Sequence, residues 1–194
     1  MLSGQLFDGE EFHGVEIKAD TLSDCEFVNC TFIDCTAESC DIIGCMFTDC
    51  VFQKCRIISN RFRNTRMRGS LFDACALIGI QFSHLVPSGF GSPIDSALRC
   101  TIKYSMFENM DLTKVVFRGS DILECSFSGT NLTSADLSSC SLAGTEFVTC
   151  TLIGADFRNS RGYIVDLRSC RSKGAMFSYP EAVHLLDSFG VIVR

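Results

Sequence analysis

Large apolar residues recur at every fifth position along most of the 194-residue chain. Over residues 7–82 and 102–177 this register has 32 positions, and Gly162 and Ser172 are the two that are not apolar. A period of five differs from the 3.6-residue period of a helix and the two-residue period of a strand. Fixed self-similarity at a short period is typical of a solenoid, so the pattern predicts one. We call the members of this register central positions.

Cysteine and phenylalanine follow the same register. Of the 17 Phe residues, 15 occupy central positions, and all 13 Cys residues lie two places before one, as Cys25 precedes Phe27. Residues two apart on an extended segment point to the same side, so both side chains are predicted to face inward. Buried Cys behaves as a small hydrophobe. We therefore interpret the cysteines as reduced core thiols, rather than as a disulfide framework or a metal cluster, and we expect no metal and no cofactor.

Two pentads show the repeat in its purest form, Ala135–Ser139 (ADLSS) and Ala155–Asn159 (ADFRN). They resemble the A(D/N)LXX pattern of the pentapeptide-repeat family. That resemblance implies an all-β fold, a right-handed quadrilateral β-helix with four pentads per coil. The 32 repeats would then form about eight coils and, with strands spaced roughly 4.8 Å apart, a rod roughly 40 Å long.

The register is lost after Phe82 in a segment rich in Gly and Pro, which is typical of turns. We predict a single projecting loop over residues 84–99, made of three inserted pentads, that interrupts a β-helix of residues 1–178. The loop could be a tolerated insertion, or it could bind a partner, since loops on rigid scaffolds often carry function. The candidate partner-binding residues are Pro87, Ser88, Phe90, Ile94 and Asp95.

Residues 179–194 predict a short helix and tail. Ser178 fits a helix N-cap, Pro180 the first turn and Gly190 the end, with a short strand after it. This helix is expected to cap the last coil, but it carries more apolar residues than one face can bury. The surplus predicts a homodimer. The candidate interface residues are Val183, Leu185, Leu186, Phe189, Val191, Ile192 and Val193.

Charge is unevenly distributed. Residues 1–50 carry a net charge of −10, the remainder carries +4, and six cations lie within residues 54–68. This pattern fits either an ordinary solvated surface or a field that steers a partner. Candidate acidic contacts are Asp34, Glu38 and Asp49. The pI near 5.0 disfavours direct nucleic-acid binding.

No catalytic motif is present in the sequence. The three His residues are far apart, there is no P-loop, G-x-S-x-G or HExxH motif, and Phe is expected to fill the interior without leaving a cavity. These features predict a non-enzyme without a small-molecule substrate. The chain has no 18-residue apolar run and no signal-peptide pattern at its N-terminus, so no membrane association and a cytoplasmic location are expected.

The ending Phe189–Val193, the run Ala155–Ser160 and the single loop near mid-chain resemble the quinolone-resistance (Qnr) proteins. This resemblance implies a dimer that binds DNA gyrase or topoisomerase IV, with partial mimicry of DNA, and protects these enzymes from quinolone-like inhibitors or toxins. The basic patch at residues 54–68 interrupts the acidic surface that DNA mimicry uses. The alternative is a general pentapeptide-repeat scaffold that binds some other protein.

Overall fold

Four parallel β-sheets form the sides of a β-helix of about eight turns in the computed structural model, which describes residues 2–87 and 91–193. Face 1 contains the strands Leu2–Ser3, Thr21–Ser23, Asp41–Ile43 and Arg61–Arg63. Face 2 contains Leu6–Asp8, Glu26–Val28, Met46–Thr48 and Arg66–Arg68. Face 3 contains Glu11–His13, Thr31–Ile33, Val51–Gln53, Ser70–Asp73 and Ile94–Leu98. Face 4 contains Glu16–Lys18, Thr36–Glu38, Arg56–Ile58, Ala76–Ile78, Thr101–Lys103, Asp121–Leu123, Ser141–Phe147 and Arg161–Val165.

Faces 1 to 3 continue into the second half of the rod through single parallel bridges instead of three-residue strands. Met106 bridges Ser126 on face 1, Asn131 bridges Thr151 on face 2, and Asp136 bridges Asp156 on face 3. On these faces the pentads form tight turns, in which the carbonyl of the central residue accepts a hydrogen bond from the amide three residues later. The Val115 N–H, for example, donates to the Leu112 carbonyl. The predicted all-β quadrilateral β-helix is therefore confirmed, with two local forms of the pentad.

Each position of the pentad has a characteristic burial and backbone conformation, and together these turn the chain at the corner of the coil. The central Phe27 and the preceding Cys25 are both buried, with 4% and 1% of their surface exposed. Two residues after the central position the backbone turns left-handed, at φ 52° for Asn29, and Gly, Asn and Asp tolerate this conformation best. The Cys50 thiol lies 3.5 Å from the carbonyl oxygens of Phe27 and Thr48, so the inward thiols also meet backbone acceptors.

The predicted loop of residues 84–99 is too long. Ile94–Leu98 is a strand of face 3, in which Ala97 pairs with Phe72 and is fully buried at a central position. A 3-10 helix, Phe82–His84, precedes the loop, and Leu85 is buried. Two of the three pentads therefore complete the turn of the coil, and one pentad is additional. The sequence did not reveal this assignment, because Gly and Pro residues are typical of a loop and because Ala97 is a weak signal for a central position.

A second irregularity separates residues 161–165 from the predicted register. Ser141 pairs with Arg161, but Phe147 pairs with Val165, so this turn is two residues shorter here. Tyr163 and Val165 fill the interior in place of the predicted central Gly162. A Cβ on Gly162 would lie 3.0 Å from the Ala143 Cα, which explains why glycine occupies this position.

The chain ends in a 3-10 helix, Glu181–Phe189, that follows the last turn. The helix stops at Gly190, whose left-handed backbone directs its N–H to the Asp187 and Leu186 carbonyls. The predicted side-chain cap by Ser178 is wrong, because its hydroxyl accepts a hydrogen bond from the Asn159 amide at 3.1 Å. Residues 191–193 form no strand. Within residues 2–87 and 91–193 no helix has the length and hydropathy that crossing a bilayer requires.

Candidate partner-binding surfaces

The base of the loop is held by hydrogen bonds to the neighbouring turn. The Val86 N–H donates to the Thr65 carbonyl at 2.9 Å, and the Gly69 N–H donates to the Ser92 carbonyl at 2.9 Å. The Ser92 hydroxyl donates to the Ile94 carbonyl at 2.6 Å. Both ends of the loop are therefore fixed, and the additional residues lie between them.

The candidate loop residues do not form one surface. Pro87 and Asp95 are exposed, whereas Ile94 is fully buried in the core, so its predicted role as a contact residue is wrong. Ile94 looked like a loop residue because the register appeared to restart only at Ile102. Ser88 and Phe90 lie outside the residues that the structure describes.

Partial burial raises the pKa of the Asp95 carboxyl, and the negative charge of Asp49 raises it further. These two carboxylates are therefore near enough to interact across the base of the loop. Asp49 also forms an ion pair of 3.1 Å with Arg68. The loop is thus flanked by charges of both signs.

A cleft of about 620 Å³ lies between the loop and the turn that follows it. Pro87, Ser92 and Pro93 line one side, and Glu108 and Asp111 line the other. The sequence did not reveal this cleft, because it depends on the direction in which the loop leaves the coil.

The basic patch is partly neutralised within the rod. Arg61 binds the Asp41 carboxylate through two hydrogen bonds, of 2.7 and 2.8 Å, and this contact holds the pKa of Asp41 below its usual range. Arg68 pairs with Asp49. In the part of the chain that the structure describes, Lys54, Arg56 and Arg66 form no ion pair.

Of the three candidate acidic contacts, Asp34 and Glu38 are exposed and lie outside the ion pairs found in residues 2–87 and 91–193. Asp49 is paired with Arg68, as described above. Two of the three carboxylates are therefore unpaired, and the third is neutralised by an arginine. The sequence could not show this difference, because partners in these ion pairs are 19 or 20 residues apart.

The C-terminal helix and tail present an apolar surface. Phe189, Ile192 and Val193 are 56%, 79% and 55% exposed, and Leu186 and Val191 are exposed as well. Leu185 packs partly against the core, and Val183 is half-buried. Leu185 therefore contributes mainly to the cap of the last turn.

Tyr163 lies beneath this helix and was not among the candidate residues. It is 5% exposed, and its hydroxyl has no hydrogen-bond partner in the described structure. Burial, together with the Glu181 charge, raises the pKa of Tyr163 to about 12. The Glu181 carboxylate accepts a hydrogen bond from the Gly162 N–H at 2.5 Å, which fixes the start of the helix to face 4.

No group of three or more His, Cys, Asp and Glu side chains converges as a metal site within residues 2–87 and 91–193. The 13 cysteines are free thiols, and Cys35 alone is half-buried while the others are buried.

Comparison with known proteins identifies the repeat and the fold. Residues 99–133 and 130–161 match the family model of pentapeptide repeats, with eight copies. None of the curated proteins matches the chain. A trypsin-treated variant of QnrB1, a plasmid-mediated fluoroquinolone resistance protein, is similar with a TM-score of 0.63 and 18% identity, covering 95% of this chain and 100% of that one.

A second trypsin-treated QnrB1 variant is similar with a TM-score of 0.51 and 23% identity, covering 100% of this chain and 98% of that one. At these identities the similarity shows a shared fold. The recurring pentad, the match of residues 99–133 and 130–161 to the repeat model and the four-sided coil together show that the fold is a pentapeptide-repeat β-helix.

Proposed function

We propose that this protein is a non-catalytic partner of type II topoisomerases, DNA gyrase or topoisomerase IV, and protects them from quinolone-like inhibitors or toxins. The observation that carries the proposal is the loop turn. A rigid rod with a single inserted pentad at its middle presents the loop, its cleft and the exposed Pro87 and Asp95 at one place. The fold that it shares with QnrB1, a fluoroquinolone resistance protein, supports the choice of partner.

Charge supports binding to a protein surface that itself recognises DNA. Asp34 and Glu38 are exposed carboxylates at the acidic end of the rod, where they can imitate part of a phosphate backbone. Arg56 and Arg66 interrupt this pattern further along, so the imitation of DNA is partial. Exposed charges of this kind act mainly on the association rate.

Dimerisation through the C-terminus is part of the same proposal. A rod of eight turns that pairs end to end presents the loop twice, at positions related by a two-fold axis. The exposed Phe189, Ile192 and Val193 supply an apolar surface for such a contact. In a monomer these apolar side chains would remain exposed to water.

The decisive experiment is DNA supercoiling by gyrase in the presence of ciprofloxacin. Tenfold excess of the protein over enzyme is expected to restore supercoiling. A variant in which residues 87–91 are replaced by a Gly-Ser linker of equal length should lose at least thirtyfold in protective potency, because loss of an interface anchor commonly costs about 2 kcal/mol. Gln53→Ala, an exposed position on face 3 two strands from Ile94–Leu98, is the control and should protect fully.

Two results would contradict the proposal. If the intact protein leaves drug-inhibited supercoiling unchanged and does not bind immobilised gyrase or topoisomerase IV, the topoisomerase partner is wrong and a general scaffold takes its place. If the linker variant protects as well as the parent while its melting temperature is unchanged, the loop is not the contact. The charge contribution is tested separately with Asp34→Asn combined with Glu38→Gln, which should slow association at low salt and have little effect at high salt.

A further inference from the structure

The interior of the first four turns is not completely filled. A cavity of about 160 Å³ runs along the axis there, and its lining extends from Leu2 in the first turn to Met67 in the fourth. Val15, which lines the cavity in the first turn, is 40% exposed, whereas Phe47 and Phe62 deeper in the rod are buried, so the cavity opens towards the first turn. The expectation that Phe fills the whole interior is therefore wrong at this end of the rod.

One small residue in a column of large ones contributes to the cavity. On face 4 the central residues of the first three turns are Ile17, Ala37 and Ile57, and the parallel register places them directly above one another. Ala37 has three carbon atoms fewer than its two neighbours. Because strands in adjacent turns are held at a fixed spacing, the coil cannot collapse into the missing volume.

The lining has few groups that could form hydrogen bonds with a polar molecule. It consists of aliphatic, aromatic and thioether side chains apart from Thr36 and two thiols, and it contains no charged group. The Cys35 thiol lies 3.3 Å from the Phe12 carbonyl oxygen, and the Cys55 thiol lies 3.3 Å from that of Phe32, so both have backbone partners. Water needs two to four polar partners, and apolar cavities of about 150 Å³ stay dry and bind benzene or xenon.

We propose that this axial cavity is a binding site for a small uncharged hydrocarbon, aromatic or aliphatic, of about six carbon atoms. The volume matches such a ligand, and the chemistry of the lining excludes ions and strongly hydrated groups. Binding would replace an unfilled space with van der Waals contacts to Phe12, Phe32 and Ile57. The proposal is independent of the topoisomerase hypothesis, since its ligand is a small molecule inside the rod and its tests do not use the enzyme.

Thermal unfolding with and without benzene tests the site directly. At ten times its dissociation constant, benzene is expected to raise the melting temperature of the parent by roughly 3–5 °C. Benzoate, which has the same ring with a charge, should produce no shift. Ala37→Ile restores the missing atoms and should abolish the benzene shift, whereas the control Ala76→Ile adds the same atoms at an outward position of the same face and should retain it.

A second measurement does not depend on whether the variant folds. Cys35 lines the cavity and is half-buried, so bound benzene should slow its alkylation by an uncharged reagent in the parent protein. The proposal is overturned if benzene changes neither the melting temperature nor the Cys35 alkylation rate, or if Ala37→Ile binds benzene as the parent does. It is also overturned if light scattering shows an association of copies that Ala37→Ile abolishes, because a neighbouring chain would then occupy the cavity.

Discussion

Phe82 and Phe107 stack face to face, with 4.7 Å between ring centroids and 13° between ring planes, although 25 residues separate them. Other stacked pairs, such as Phe27 with Phe47 at 5.0 Å, are 20 residues apart. The five additional residues in this turn therefore do not disturb the stack on face 1. The packed interior therefore continues through the turn that carries the loop.

Replacing a stacked ring should destabilise the rod strongly. We expect Phe52→Ala to lower the free energy of unfolding by about 3–5 kcal/mol, because it removes a buried ring that stacks on both Phe32 and Phe72. Gln53→Ala, the adjacent exposed residue, should change it by less than about 0.5 kcal/mol. Equilibrium urea unfolding measures both. Equal effects would contradict the inward assignment of the central position.

Thiol labelling should distinguish one cysteine from the other twelve. Cys35 is half-buried and the others are buried, so a small alkylating reagent should modify about one thiol in the native protein and all 13 after denaturation. Burial raises the pKa of Cys35, so its labelling rate should keep increasing with pH beyond the range in which a free thiol is fully ionised. Mass spectrometry locates the label, and Cys35→Ser should remove it. Rapid labelling of several cysteines would show that the core is open.

Stability should fall at alkaline pH. Burial raises the pKa of Cys125 and of Cys140 to about 11, whereas thiols in the unfolded chain have a pKa of about 8.5. Between these values the unfolded state has lost protons that the folded state retains, so the free energy of unfolding decreases as pH rises. Melting temperatures from pH 8 to 11 should show this decline. Cys140→Ala should make it shallower, and an unchanged slope would show that this thiol ionises freely in the folded protein.

Gly162 should tolerate a side chain less well than Gly174. Both have left-handed backbone, with φ of 75° and 74°, so alanine is strained at either position by roughly 1 kcal/mol. At Gly162 a Cβ would also lie 3.0 Å from the Ala143 Cα, whereas at Gly174 the nearest atom would be 3.9 Å away. The difference between the two alanine variants in urea unfolding therefore reports the contact alone, for which we expect about 1–3 kcal/mol. Equal costs would mean that the turn relaxes.

Phe189→Asp tests the proposed dimer. The ring is 56% exposed in the single chain, and a charge buried at an apolar interface without a partner is strongly unfavourable. Light scattering should show a dimer for the parent and a monomer for the variant, with the circular dichroism spectrum unchanged. Asp187→Asn, an exposed polar position of the same helix, is the control. A parent that is monomeric at micromolar concentration would contradict dimerisation.

The repeat itself was predictable because every turn of the coil places the same residue types at the same positions. Phe52 and Cys50 could be assigned to the interior from the five-residue period alone, and both are buried. The number of strands per turn came from the family resemblance, since nothing in a five-residue period specifies four sides.

The exceptions could not be predicted, because each depends on contacts between residues about 20 positions apart. Ile94 and Ala97 looked like loop residues until their pairing with face 3 was known. Tyr163 replaces Gly162 in the interior because one turn is two residues shorter. Ala37 satisfied the apolar pattern, but only the stacking of Ile17 and Ile57 around it shows that volume is missing.

The ring column of face 3 passes from Phe72 to Ala97 as the coil crosses the loop turn. In a repeat protein each turn contacts only its neighbours, so a turn with weaker contacts divides the cooperative unit. We therefore expect the rod to open as two blocks that meet at a seam in this turn, where the stacked Phe82 and Phe107 still join them. A partner that binds the loop should stabilise the junction of the two blocks at this seam, so its binding should slow hydrogen exchange in both blocks.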